Sequence, residues 1–307
     1  MLLSWRGFWV PLRCSRIPSQ LMRCHPSMFR KTSAGKNYQS RAGVTDWVQV
    51  LVLALIQGIT EFLPVSSSAH LILPAQLLGW SDQGLLFDVA VHAGTLCAVL
   101  WYFRETCFDL LRSVLPNSSL DRTELWSLCI ATVPVVIVGA SLKDVIASEA
   151  RAVDVIIAAT LIFGVLLGAA DRLAKRGESQ TATVSYRHAL WIGLAQIFAL
   201  IPGTSRSGVT ITAALFLGYH PSVAARFSFL LSIPVIAGAL LVMVVSPGSG
   251  STSLTLLQLL AAFTLSAGFA YATIKGFMHL VSRIGLMPFV LYRLLLGVLL
   301  WVWVAGG

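Results

Sequence analysis

Two stretches of the sequence decide its fold: Gln57-Gly58-Ile59-Thr60-Glu61-Phe62-Leu63-Pro64-Val65-Ser66-Ser67-Ser68-Ala69-His70 and Pro202-Gly203-Thr204-Ser205-Arg206-Ser207-Gly208-Val209-Thr210. Each places proline, hydroxyl and charged side chains between short apolar segments. Proline interrupts helices, and a charged side chain within an apolar segment is a candidate for a functional site. The two stretches therefore predict broken helices with polar side chains at the breaks.

The sequence around these stretches is strongly apolar. Charged residues make up 11% and hydrophobic residues 56% of the 307 residues, and the mean hydropathy is +0.80. Soluble domains carry about 25% charged residues. Six segments approach the ~20 residues that a membrane-spanning helix needs: these are 85–103, 125–142, 152–170, 223–245, 254–274 and 286–304. The sequence therefore predicts an all-α polytopic membrane protein.

Four shorter apolar segments flank the two breaks: 47–63, 71–79, 189–201 and 209–218. A short helix, a polar break and a second short helix describe a re-entrant hairpin, whose freed backbone must line an enclosed cavity. Aligning Pro64 with Pro202 gives an internal repeat of about 138 residues, with halves at about 46–170 and 186–305. Each half would hold one hairpin and three spanning helices. An odd number of spans inverts the second half, and paired breaks in such repeats meet at the midplane.

The formal charge of +9 is concentrated in an N-terminal extension, residues 1–45, which holds eight basic and no acidic side chains. The remainder, 46–307, is predicted to be a single membrane domain and carries 14 basic and 13 acidic residues. The basic residues are not interleaved with aromatic ones on a folded surface, which argues against nucleic-acid binding.

The extension has three interpretations. The first is a targeting peptide, and the second is a disordered arm on an anionic membrane surface. The third is that translation does not start at Met1 but further along the chain, with Met28 as one candidate start. We favour the last, because loop charges and the positive-inside rule place both mature termini outside, where a basic extension is disfavoured.

The first break carries an acid, hydroxyls and an imidazole. Gln57 and Glu61 are four residues apart on one helical face, so both can reach one cation or one phosphate-bound water. An acid in an apolar span opposes membrane insertion by about 2.5–3.5 kcal/mol, which favours a functional role. The alternatives are a Glu that pairs with an Arg to hold the fold, and serines that only cap a helix. The candidates are Gln57, Glu61, Ser66, Ser67, Ser68 and His70.

The second break surrounds a single arginine with glycines and hydroxyls. A helix that starts near Ser207 would aim its free N–H groups at an anion, and the planar fork of Arg206 matches phosphate oxygens. The alternative is that Arg206 serves as the counter-ion of Glu61, and the two roles are compatible. The candidates are Gly203, Thr204, Ser205, Arg206, Ser207, Gly208 and Thr210. Among weaker candidates, Arg293 in the last span is predicted to pair internally.

The two motifs resemble those of the undecaprenyl-diphosphatase family, the bacitracin-resistance type of integral membrane phosphatase. Gln57–His70 is similar to its (Glu/Gln)-x-x-x-Glu motif and Ser-rich run ending in His, and Pro202–Thr210 to its Pro-Gly-x-Ser-Arg-Ser-x-x-Thr motif. The resemblance covers about residues 46–305. Gln57 stands where other members have Glu, which removes one anionic metal ligand.

The resemblance implies hydrolysis of undecaprenyl diphosphate to the monophosphate and inorganic phosphate, which recycles the lipid carrier for cell-wall synthesis and confers bacitracin resistance. It implies a multi-pass protein of the bacterial inner membrane, surrounded by membrane lipids, with its site facing the outer side. It also implies a divalent cation, Mg²⁺ or Ca²⁺, which Gln57 and Glu61 would help to hold. A homodimer is left open.

For the mechanism, Arg206 is expected to bind the phosphates. The attacking group is the hydroxyl of Ser67 or Ser205, or a water, deprotonated by His70 or Glu61. Inverted repeats with broken helices are also a transporter architecture. The alternative function is therefore a transporter or flippase of a polyprenyl phosphate.

Overall fold

The computed structural model describes residues 42–80, 83–116, 118–142, 152–174, 183–245 and 254–306. From residue 43 onward they belong to one compact unit, Gly43–Gly307. The predicted extension, 1–45, lies outside the described residues except for its last four.

The described residues form helices, and no strand occurs among them. The α-helices are α1 (Ala42–Thr60), α2 (Ser67–Leu78), α3 (Leu85–Tyr102), α4 (Arg104–Ser113), α5 (Thr123–Ser141), α6 (Val153–Ala174), α7 (Tyr186–Gln196), α8 (Arg206–Phe216), α9 (Pro221–Val245), α10 (Leu256–Ile284) and α11 (Met287–Gly306). A 3₁₀ turn, Ile197–Leu200, follows α7.

Six of these helices are long and apolar enough to cross a membrane: α3, α5, α6, α9, α10 and α11. They coincide with the six predicted spans, which confirms an all-α polytopic architecture. The largest difference in a boundary is at α10, which continues to Ile284 instead of ending near residue 274. Backbone hydrogen bonding carries the helix past the end of its apolar stretch, so Lys275 and Arg283 lie on a helix and not in a loop.

The pairs α1–α2 and α7–α8 fold back on themselves. In the first pair, Gln83 beyond α2 donates from Nε2 to Gln49 Oε1 near the start of α1, at 2.9 Å. In the second pair, the Ser185 N–H before α7 donates to the Tyr219 hydroxyl beyond α8, at 3.2 Å. Each pair is therefore a hairpin that starts and finishes at the same end of the bundle. Its re-entry into a membrane stays a prediction.

The two hairpins open at opposite ends of the bundle. Helix α3 starts directly after the first hairpin and leads through α4, where Cys107 lies near Glu124 at the start of α5. That end of α5 borders the open end of the second hairpin, since Ser127 Oγ donates to the Val184 carbonyl, at 2.7 Å. The hairpin tips, which are the breaks after α1 and α7, meet between these ends. Inverted halves with this element order are what the sequence predicts.

Each hairpin is packed against the opposite half through a glycine. A Cβ at Gly58 of α1 would lie 2.7 Å from the Ser266 carbonyl oxygen of α10, and a Cβ at Gly193 of α7 would lie 2.6 Å from that of Ala131 in α5. Helices α5 and α10 hold corresponding positions in the two halves. The hairpin of each half therefore packs against a spanning helix of the other half. These two crossings hold the hairpins at the same depth in the bundle.

The residues that correspond in the two breaks are shifted by one from the alignment of Pro64 with Pro202. Ser66 and Ser205 both directly precede the second helix of their hairpin, and their φ angles are 75° and 71°. The structure pairs these serines, at a separation of 139 residues, because the conformation at the helix start is shared although the prolines are not equivalent.

We expect Gly58→Ala to lower the melting temperature of the purified protein in detergent. The new methyl group would force α1 and α10 apart, and overpacking of this kind destabilises by about 1–3 kcal/mol. Gly238→Ala in α9 is the matched control, because nothing lies within 4 Å of a Cβ there. Equal melting temperatures for the two variants would contradict the close crossing of α1 and α10.

Candidate active site

The hairpin tips hold two serines in a strained backbone conformation. Ser66 and Ser205 are the non-glycine residues with positive φ within the described ranges. A left-handed conformation of this kind costs on the order of 1–3 kcal/mol per residue and persists only where the surroundings impose it. Contacts around the tips must therefore hold both serines in place.

The two tips contact each other directly. The Gly203 N–H donates to Ser66 Oγ at 3.1 Å, and Ser207 Oγ donates to the Leu63 carbonyl at 2.8 Å. Only glycine fits at position 203, because φ is 96° and a Cβ would lie 2.5 Å from the Ile156 carbonyl oxygen. The two breaks thus form one site, as the sequence predicts for paired breaks.

Arg293 of α11 donates hydrogen bonds to the backbone of both tips. Its guanidinium is fully buried and donates to carbonyl oxygens of the first tip, the second tip and α6. The partners are Pro64 at 3.3 Å, Thr204 and Gly203 at 2.8 Å each, Thr160 at 3.3 Å and Ala159 at 3.4 Å. This side chain supplies partners to backbone that the breaks leave outside regular helix.

A buried ion pair joins the tips at the centre of the site. Arg206 Nη2 lies 2.9 Å from Glu61 Oε1, and the two side chains are 12% and 8% exposed. Arg206 Nη1 also donates to the Ser228 carbonyl at 3.1 Å, and the guanidinium lies over the Phe62 ring. Among the described residues, protein acceptors take two of its five N–H donors. Three donors remain for a ligand.

The other carboxylate oxygen of Glu61 is aimed at a hydroxyl. Ser67 Oγ donates to Glu61 Oε2 at 2.7 Å, and Gln57 Nε2 donates to the same oxygen at 3.0 Å. Ser67 is the first residue of α2, so its hydroxyl stands at a helix N-terminus. A hydroxyl, an adjacent base and groups that orient the base are the arrangement of an activated nucleophile.

His70 lies at the edge of the site and is held by two partners. Its Nδ1 lies 2.7 Å from the Ser66 carbonyl and its Nε2 lies 2.6 Å from the Tyr292 hydroxyl. A carbonyl only accepts, so Nδ1 donates, and the Nε2 of a neutral ring accepts the Tyr292 proton. No hydrogen bond joins the imidazole to Ser67 or Glu61 in the described structure.

The remaining predicted residues mainly shape the second tip. Ser205 Oγ accepts from the Gly208 N–H at 3.1 Å and so caps α8. Thr210 Oγ1 bonds Ser228 Oγ at 2.7 Å and the Arg206 carbonyl at 2.9 Å. Ser205 is therefore occupied as a cap, whereas Ser67 is paired with an acid.

Two further hydroxyls stand at the tips. Ser68 is exposed and lies 3.2 Å from Ser66 Oγ. Thr204 Oγ1 is buried and has no hydrogen-bond partner among the described residues. Both lie beside groups that join the two tips.

Gln57 and Glu61 offer oxygen atoms that suit a hard divalent cation. Gln57 is fully buried, and its Oε1 has no hydrogen-bond partner among the described residues. The same part of the chain contains no group of three His, Cys, Asp or Glu side chains that could hold a metal alone. Mg²⁺ is commonly held by one or two carboxylates together with substrate phosphates and waters. The residues present fit a cation that the substrate helps to bind.

Three further residues lie near the site. Tyr292 has no local signal, whereas Arg293 in the last span and His92, four residues after Asp88 in an earlier span, are weaker candidates from the sequence. The hydrogen bonds of Arg293 to both tips did not follow from its position in the last span. His92 of α3 lies within electrostatic reach of Glu61. The signal for Arg293 was a lone arginine in an apolar span, which marks a functional candidate. Arg226, by contrast, forms a two-pronged pair with Glu124 of α5.

The fold and the site define a polytopic helical membrane protein whose two broken hairpins enclose an ionic, hydroxyl-rich site suited to a phosphate group. The chain belongs to the family described as bacitracin resistance protein BacA, whose profile matches residues 50–299.

Bacterial relatives match over nearly their whole length. The chain is 51% identical over 265 residues to the undecaprenyl-diphosphatase of Alcanivorax borkumensis, covering 85% of this chain and 100% of the relative. It is 48% identical over 266 residues to that of Hahella chejuensis, and 52% identical over 270 residues to that of Teredinibacter turnerae. Each of these two alignments covers 84% of this chain and 99% of the relative.

We expect Ser66→Ala to lower the melting temperature, because the buried Gly203 N–H would lose its acceptor while the strained backbone remains. An unsatisfied buried donor costs roughly 1–3 kcal/mol. Ser141→Ala is the matched control, since it removes an exposed hydroxyl at the end of α5, away from the tips. Equal melting temperatures for the two variants would contradict the hydrogen bond from the Gly203 N–H to Ser66 Oγ.

Proposed function

We propose that this protein hydrolyses undecaprenyl diphosphate to undecaprenyl phosphate and inorganic phosphate. This activity recycles the lipid carrier for cell-wall synthesis and confers bacitracin resistance. Family membership and relatives about half identical over most of the chain support the substrate. The observation that carries the chemistry is the chain of contacts Ser67–Glu61–Arg206, which spans both tips.

The diphosphate would bind where the tips meet. The free donors of Arg206 hold its oxygens in the forked geometry that guanidinium groups favour. The N-terminal ends of α2 and α8 both lie at the tips, and a helix N-terminus attracts anions. The prenyl chain would then run between helices into the lipid. This pose leaves the terminal phosphate closest to the protein groups that react.

In the first chemical step, Ser67 Oγ attacks the terminal phosphorus and its proton passes to Glu61 Oε2. The bond from that phosphorus to the bridging oxygen breaks, and undecaprenyl phosphate leaves with the bonding electrons. Arg206 stabilises the charge on the equatorial oxygens, as preorganised donors do in phosphoryl transfer. The product at this stage is a phosphoserine.

In the second step, a water attacks the phosphoserine and the bond from phosphorus to Ser67 Oγ breaks. Glu61 returns the proton it holds to Ser67 Oγ, and inorganic phosphate leaves. For this step His70 Nε2 gives up its hydrogen bond from the Tyr292 hydroxyl and takes a proton from the attacking water. The imidazole then releases that proton to solvent. The histidine thus acts in the step that follows the serine attack.

A divalent cation, Mg²⁺ or Ca²⁺, would be held by Gln57 Oε1 and Glu61 together with substrate oxygens. When bound, it supplies charge neutralisation for the phosphates and the leaving group. The unpartnered amide oxygen of Gln57 supports this assignment.

We further propose that the site faces the outer side of the bacterial inner membrane. The basic residues of 171–188, together with Lys275 and Arg283 in the C-terminal part of α10, would then lie toward the cytoplasm by the positive-inside rule. The hydrogen bonds and the ion pair that join the two tips lie within one chain.

The competing function is transport of a polyprenyl phosphate without cleavage. Inverted hairpins and Arg206 suit binding in either case. A hydroxyl held 2.7 Å from a carboxylate gives a transporter no advantage. The pairing of Ser67 with Glu61 therefore favours hydrolysis.

The function is tested by phosphate release from undecaprenyl diphosphate by purified protein in detergent. We expect release that stops with EDTA and returns with Mg²⁺ or Ca²⁺. Arg206→Ala should reduce it by about 10²–10³-fold, as loss of a preorganised donor does. Arg226→Ala, which breaks the pair with Glu124, is the matched control and should retain activity. Folded wild-type protein that binds the lipid without releasing phosphate would instead support transport.

Ser67→Ala should lower phosphate release at least about a thousandfold, since removing a nucleophile leaves only positioning and charge stabilisation. Ser141→Ala, at the exposed end of α5, should leave release unchanged. Acid quenching of the His70→Gln variant during turnover should trap a phosphate on the Ser67 peptide, detected by mass spectrometry. Substantial turnover by Ser67→Ala would assign the attack to water.

A further inference from the structure

We infer that Arg293 is a positioning residue that locks the two hairpin tips in catalytic register. It would hold the nucleophile pair of the first tip at a set distance from the phosphate-binding arginine of the second. This inference rests on the proposed phosphatase activity. It assigns a role to a residue outside both sequence motifs, on the last helix of the chain.

Arg293 and Arg206 differ in how many of their N–H donors are bonded to the protein. A guanidinium has five N–H donors, and Arg293 directs all five to carbonyl oxygens of the chain. Arg206 keeps three donors beyond its described protein partners. Arg293 is also fully buried. It therefore cannot contact a substrate without giving up bonds to the backbone, so its role is exerted through the tips.

The acceptors of Arg293 lie beside the strained serines. Thr204 directly precedes Ser205, and Pro64 lies two residues before Ser66. Nη1 bonds the carbonyls of Pro64 and Thr204 together, so a single nitrogen bridges the first tip to the second. Bonds from Nε and Nη2 to the Thr160 and Ala159 carbonyls tie this bridge to α6. The side chain thus holds three segments in one arrangement.

Two glycines make room for the Arg293 side chain. A Cβ at Gly208 would lie 2.8 Å from Arg293 Nη1, and one at Gly164 would lie 3.2 Å from Arg293 Cβ. No carboxylate pairs with Arg293 within the described residues, so its partners are neutral carbonyls. Lysine could replace the charge but not the planar fork, because an ammonium has three donors at one point.

The consequence for catalysis follows from where the reacting groups sit. Glu61 and Ser67 flank the first tip, and Arg206 begins the helix after the second. A shift of about 1 Å between reacting groups can lower a rate about 100-fold. Loosening the tips should therefore reduce kcat, whereas KM should change less because Arg206 still binds the phosphates.

The test compares the kinetics of Arg293→Lys with those of wild type and Arg226→Lys. We expect kcat to fall about 100-fold in Arg293→Lys, with a smaller change in KM, and to stay at the wild-type value in Arg226→Lys. A monodisperse Arg293→Lys protein with wild-type kcat would overturn the inference. If wild type itself releases no phosphate, the proposed function fails instead.

A double-variant cycle distinguishes positioning from a general loss of stability. Ser66→Ala removes one of the direct hydrogen bonds between the tips, so its effect on kcat should not multiply with that of Arg293→Lys. The double variant should lose less activity than the product of the single losses. Independent, multiplying effects measured on folded protein would show that Arg293 does not act through the junction.

A milder variant keeps the test decisive if Arg293→Lys does not fold. Gly164→Ala leaves the guanidinium and both motifs intact but displaces the Arg293 side chain by a few tenths of an ångström. We expect a kcat decrease in the same direction and smaller, with Gly238→Ala unchanged. An unaltered kcat in Gly164→Ala would likewise overturn the inference.

Discussion

A break in a helix within an apolar bundle frees carbonyl groups that lipid cannot satisfy. In this protein a single guanidinium, that of Arg293, serves carbonyls of both breaks and of the neighbouring helix. These bonds lie beside the two serines with positive φ, the hydrogen bond between Gly203 and Ser66, and the Glu61–Arg206 ion pair. A neutral side chain of similar size would leave several buried acceptors unpaired, and each unpaired group is destabilising.

The front of the site uses the second arginine in the opposite way. Arg206 neutralises Glu61 and still presents free donors, so this pair carries no net charge at rest and remains able to bind an anion. Glu61 divides its two oxygens between the arginine on one side and Ser67 with Gln57 on the other. One carboxylate thereby links phosphate binding in the second tip to the hydroxyl of the first.

The inverted halves explain how the two tips can differ in chemistry while sharing a backbone shape. Each tip ends in a serine with positive φ and begins a short helix, but Ser67 follows in the first half and Arg206 in the second. The repeat supplies two equivalent helix starts facing one another, and divergence at the first helical residue gives a hydroxyl on one side and a guanidinium on the other. Close crossings at Gly58 and Gly193 hold these starts together.

The sequence by itself determined the spans, the two breaks and the polar groups placed at them. Apolar length and the positions of proline, glycine and serine are local properties, and Glu61 and Arg206 stand out because charge is rare in such segments. Only the tertiary structure decided which groups meet. Arg293 and Pro64 are 229 residues apart, and Tyr292 reaches His70 across 222 residues. No local periodicity encodes such contacts, because they arise when packing brings the last helix behind both tips.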